Sequence, residues 1–109
     1  MNSLDYAEFV QGMRARTMDT VGGCLGLAGE TGELVDAIKK WKYHQVGDEA
    51  SVTNKVLAEA GDVLFYLTLI LGDFGLTLED ATDYNYDKLW KRYPNGFIQG
   101  GGIRDAEQS

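Results

Sequence analysis

The chain is poor in the residues that most often announce a chemistry: it holds one cysteine, one histidine and one proline. A single cysteine excludes an internal disulfide framework and predicts a reducing, cytoplasmic setting. Cys24 has no Cys-x-x-Cys partner and lies in an apolar stretch, so it reads as a packed thiol rather than a nucleophile. One histidine is too few for a ferritin-like di-iron bundle, which draws on two Glu-x-x-His motifs. His44 reads instead as a surface residue. Basic residues are scarce too, 10 against 17 acids, for a net charge of −7. That balance argues against nucleic acid held by bulk electrostatics. The first ten residues carry Asp5 and Glu8 and no apolar run of the secretory type. The longest apolar run, Val63–Leu71, is interrupted by Thr68 and is too short to span a bilayer, so no membrane partner is expected. There is no internal repeat and no strand-like alternation.

What is present is a pair of acidic couplets, Glu30-Thr31-Gly32-Glu33 and Glu59-Ala60-Gly61-Asp62. On an α-helix, i, i+3 spacing puts both carboxylates of a couplet on one face. The four acids account for more than half of the net negative charge. If their helices pack as a hairpin, the carboxylates converge. At an effective dielectric of ~20, each like-charged pair ~5 Å apart repels by roughly 3 kcal/mol. Such a cluster persists when it is solvated, partly protonated or holding a cation. All-oxygen ligation suits a hard divalent ion such as Mg²⁺, Mn²⁺ or Ca²⁺.

At 109 residues and 44% hydrophobic, the chain is sized for one domain with a modest core, which a second copy would enlarge. Ser3 is placed to cap a first helix, in which Tyr6, Phe9, Val10, Met13 and Thr17 form an apolar stripe with no assigned chemistry. Glycines 22, 23, 26, 29 and 32 follow within an otherwise helical segment. They serve either close helix–helix contact or a backbone kept bare for a ligand. A second helix is predicted from Leu25 to about Tyr43, with Glu30, Glu33, Trp41 and His44 on one broad face and Lys40 beside it. Gln45–Thr53 is the connection, and a third helix runs from about Thr53 to Phe74. From Val63 to Leu71 it is apolar on all sides, so it needs burial on all sides and predicts a homo-oligomer built around it. Gly75 is a helix stop, and Thr77 with Asp80 resembles a capping box. A last helix follows from Leu78 to about Tyr93, with Asn85, Lys88 and Arg92 along one side; Pro94-Asn95-Gly96 ends it. Residues 1–97 form the expected domain and 98–109 a flexible tail.

A lone Glu-x-x-Glu is ordinarily a solvated helix face. Here Asp62 falls inside an apolar segment, where an unpaired carboxylate is costly, and the couplet is repeated on the neighbouring helix. Lys39, Lys40, Asn85, Lys88 and Arg92 are surface cations and polar groups unless a metal-bound polyphosphate engages them. Trp41 and Tyr66 lie near the couplet faces and would serve either packing or base stacking.

The succession LGLAGETGELVDAIKK (25–40), LAEAGDVLFYL (57–67), GLTLED (75–80) and KLWKRYPNGF (88–97) resembles the MazG-like all-α nucleoside triphosphate pyrophosphohydrolases. The resemblance implies an antiparallel bundle of about four helices, assembled as a homodimer or homotetramer around a shared helical core. It implies Mg²⁺-dependent hydrolysis of nucleoside triphosphates to monophosphate and pyrophosphate, with Mn²⁺ as a substitute, in a house-cleaning role. Glu30, Glu33, Glu59 and Asp62 would be the metal ligands. Lys39 or Lys40, Asn85, Lys88 and Arg92 would meet the phosphates, and Tyr66 would line the nucleotide pocket. Glu33 is assigned as the acceptor of the attacking water's proton. Sibling activities on dUTP, dCTP or phosphoribosyl-ATP, and a catalytically silent binding module, are the alternatives.

Overall fold

The computed structural model describes residues 1–45 and 47–97; the expected tail over 98–109 lies outside them. The described residues form four helices: α1 (Ser3–Met13), α2 (Thr20–His44), α3 (Glu49–Asp73) and α4 (Leu78–Arg92). Among the described residues there is no strand, so the fold is all-α as the sequence predicts.

Each helix begins where a short polar side chain takes a backbone N–H left open by the first turn. Asn2 accepts from Asp5, Asp19 from Gly22, Asp48 from Ser51 and Thr77 from Asp80. The Thr77–Asp80 capping box is complete, with the aspartate accepting from the Thr77 N–H at 2.9 Å. Three expectations are corrected. Ser3 is not a cap; its hydroxyl donates to Glu79 at 2.7 Å and ties α1 to the start of α4. α1 ends at Met13 instead of running on to Thr17: the backbone is extended at Arg14, with ψ 131°, and the Arg14 side chain donates to the Met18 carbonyl four residues on. α2 and α3 begin earlier than Leu25 and Thr53, at the caps supplied by Asp19 and Asp48. The stops are as read: Gly75 adopts φ +73°, which a β-carbon disfavours.

α2 and α3 pack along their length as an antiparallel hairpin, and α1 lies against α3. Two glycines set the approach. A β-carbon on Gly23 would come within 2.8 Å of Leu69, and one on Gly26 would run into the Tyr66 ring. Gly29 and Gly32 have open space at that position. Close helix contact thus explains Gly23 and Gly26 but not Gly29 or Gly32. α4 leaves α3 at 93° and packs extensively on no other helix.

The core of the single chain is thin: among the described residues, only Val10 and Leu69 are fully buried apolar side chains. Val21, Leu25 and Val35 on α2, Leu57 on α3, and Tyr86 and Trp90 on α4 are all more than half exposed. Cys24 lies on the open side of α2 and is exposed, which corrects the reading of a packed thiol. No single helix is long and apolar enough to cross a membrane among the described residues.

Candidate metal centre

The antiparallel register that seats Tyr66 on Gly26 also brings Glu30 of α2 opposite Glu59 and Asp62 of α3. One carboxylate oxygen from each of the three lies within 4.8 Å of the other two. Burial differs across the group: Glu59 is 8% exposed, Glu30 is half-buried and Asp62 is open to solvent. Burial pushes the Glu30 carboxyl above the usual carboxylate range, helped by a hydrogen bond shared with Glu59 and by the charges of Asp62, Glu59 and Glu33. The donor set fits a hard divalent ion: three carboxylates from two rigid helices, one already desolvated, with an open side for water or substrate.

Glu33, one turn beyond Glu30, stands outside this triad. It is exposed and lines an adjoining groove of about 490 Å³ with Asp36, Lys40, Ser51, Asn54 and Lys55. Its charge still reaches both Glu30 and Lys40. Lys40 ion-pairs with Asp36 at 2.9 Å, one helical turn away, and Lys39 approaches the same carboxylate at 3.8 Å. The Lys40 hydrogen bond holds Asp36 below its usual range and raises Lys40 in turn.

Tyr66 sits one turn past Asp62, its ring edge-on to Phe65 with centroids 5.4 Å apart. Trp41 lies near the end of α2, partly exposed. The residues on α4 are not brought to the carboxylates within one chain. Asn85 and Lys88 line a hollow with Leu71, Leu76 and Tyr84 that contains no couplet acid. Arg92 is half-buried, with its Nε enclosed and without a hydrogen-bond partner.

Two neighbours of the triad escape a reading of motifs. Tyr6 of α1 crosses α3 near the site, and its phenol is raised by burial and by the charge of Asp62. Nothing local in the sequence signals this, because it depends on how α1 lies across α3. Lys55 ion-pairs with Glu59 at 3.2 Å, and here a signal existed in the i, i+4 spacing on α3.

The family model for the MazG nucleotide pyrophosphohydrolase domain matches residues 23–97, which contain both couplets and α4. The chain is also 34% identical over 79 residues to the Gene 37 protein of Mycobacterium phage L5, covering 72% of this chain and 69% of that one. No solved structure matches. Four helices and no strand among the described residues, three converging couplet acids and a family match across most of the chain agree: this protein belongs to the MazG nucleotide pyrophosphohydrolase family.

Proposed function

We propose that the chain hydrolyses nucleoside triphosphates to the monophosphate and pyrophosphate with Mg²⁺, or Mn²⁺ in its place, and removes aberrant or surplus nucleotides. The observation that carries this reading is the convergence of Glu30, Glu59 and Asp62, with Glu59 withdrawn from solvent. Those three residues would hold the ion, and Glu33 would complete its surroundings from the groove side. A divalent cation held there supplies charge that neutralises the triphosphate and makes water more acidic. The residues then divide the remaining tasks. Glu33 accepts the proton of the attacking water at a carboxylate oxygen while the new O–P bond forms and the bridging P–O bond between α- and β-phosphates opens. Lys39 and Lys40 meet phosphate oxygens, Lys40 by exchanging its Asp36 partner for them. Tyr66 and Trp41 offer rings to the base.

Asn85, Lys88 and Arg92 are proposed to reach the phosphates in a homodimer or homotetramer. What supports this is that α4 turns away from its own hairpin and that α2, α3 and α4 all present exposed apolar side chains. Residues 1–97 are the proposed working unit, in a reducing cytoplasm where the exposed thiol of Cys24 would stay free.

The test is a panel of standard and modified triphosphates with Mg²⁺, scored for pyrophosphate, for the wild type and for Glu33→Gln. The expected result is release from one or more substrates, reduced about 100-fold in the variant. Release confined to one base would identify a specialist. No release from any substrate would leave a nucleotide-binding module, and near-normal turnover by Glu33→Gln would remove the proton-acceptor role.

A further inference from the structure

Glu59 is the buried member of the triad, and a carboxylate so placed needs a counter-charge. Lys55 supplies it, with Nζ 3.2 Å from Oε1. Among the described residues no other lysine or arginine ion-pairs with the triad. The Lys55 side chain is nonetheless 58% exposed, so only its head is committed to the carboxylate. It also lines the groove beside the triad, together with Glu33, Lys40, Ser51 and Asn54. Lys55 therefore stands at the boundary between the carboxylates and a polar groove that opens from them.

We propose that Lys55 is a built-in counter-ion. It competes with the divalent cation for Glu59 and, once displaced, holds the triphosphate in the adjoining groove. The inference rests on the metal-dependent reading above. Lysine suits such an exchange: a compact point charge on a flexible stem changes partner without the fixed geometry that a guanidinium demands. Two consequences of opposite sign follow. Removing the ammonium frees Glu59, so metal binding tightens. Removing it also takes a cation from the groove, so polyphosphate binding weakens. A lysine that merely supported α3 would weaken both or neither.

The experiment uses the full chain as wild type, Lys55→Met and Lys55→Arg, with Glu59→Gln as the reference for metal binding at the triad. Mn²⁺ is titrated calorimetrically into metal-free protein; inorganic tripolyphosphate is then titrated at saturating Mg²⁺. Lys55→Met is expected to bind Mn²⁺ about five-fold tighter, since it has lost one competing ion pair and one repelling charge. The same variant is expected to bind tripolyphosphate about ten-fold more weakly, having lost a charge-assisted contact. Lys55→Arg, which keeps the charge but not the compact ammonium, should change both affinities less than Lys55→Met does. If methionine disturbs α3, Lys55→Gln, a comparable helix former, carries the same test. Unchanged or weaker Mn²⁺ binding by the uncharged variant overturns the proposal, as does unchanged tripolyphosphate binding. In either case, Mn²⁺ binding that Glu59→Gln abolishes leaves the metal centre standing. If wild type shows no such binding, the metal centre and the counter-ion fall together.

Discussion

Gly26 shows how far one missing β-carbon reaches. It lets the Tyr66 ring lie on the α2 backbone, and that contact sets the register that places Glu30 opposite Glu59 and Asp62. Gly26→Ala is therefore expected to destabilise the chain by about 1–3 kcal/mol, because a packed ring must move. Gly12→Ala, with nothing within 4 Å of the added carbon, should instead stabilise α1 by up to about 1 kcal/mol. Urea denaturation of both variants measures the contrast; equal effects would remove Gly26 from its role. At this scale the sequence was legible in part. The spacing within each couplet was visible, and so was Asp62 set among apolar residues. The separation of Glu33 from the other three depends on how the two helices are offset and rotated against each other. That is a property of packing, which the i, i+3 rule does not contain. The partnership of Tyr6 with Asp62 is hidden for the same reason.

The helices were legible because their punctuation is local chemistry. Gly75, the Thr77–Asp80 capping box and the Pro94-Asn95-Gly96 ending act within a few residues of themselves. The start of α2 was harder to place, since a glycine-rich first stretch weakens the helical pattern that Asp19 in fact initiates. Between elements, the tie that matters most outside the site joins the α1–α2 connection to the end of α3. Arg14 donates to both carboxylate oxygens of Asp73, one at 3.0 Å, and the Thr20 hydroxyl donates at 2.6 Å. The Arg14 hydrogen bond, followed by that of Thr20, holds the Asp73 carboxyl below its ordinary range. A depressed folded-state pKa gives stability that is fully present above the unfolded value and lost as pH falls through the folded one. Asp73→Asn should accordingly be less stable than wild type at neutral pH. The deficit should shrink as pH drops below about 4, where the unfolded chain's carboxylate takes up a proton, and vanish once the folded one does so at lower pH. Chemical denaturation at several pH values measures it; a deficit that does not change with pH would mean the charge is not what holds this junction.

As a whole molecule, the single chain is an incomplete solution to its own hydrophobicity. Its radius of gyration is 17.1 Å, against ~13 Å for a compact domain of about 100 residues. α3 is apolar around its circumference from Val63 to Leu71 but is covered on only part of it: Leu69 is fully buried, while Leu64 and Leu67 remain more than a third exposed. A second copy is the simplest cover for these faces, and the proposed assembly follows from that arithmetic of area. Sedimentation velocity is expected to give at least twice the 12.0 kDa chain mass, and Leu57→Asp, which places a charge on an exposed apolar face, should shift the population toward monomer. A monomer at micromolar concentration would contradict the assembly.

The proposed activity depends on Glu30, Glu59 and Asp62 acting together on one divalent ion. Titrating metal-free protein with Mn²⁺, followed by electron paramagnetic resonance, reads this without any assumption about substrate. Saturable binding by wild type, with affinity lowered at least about ten-fold in Glu59→Gln, is the predicted result for a site that loses a charged oxygen ligand. Equal Mn²⁺ binding by the two proteins, or none by either, would contradict it.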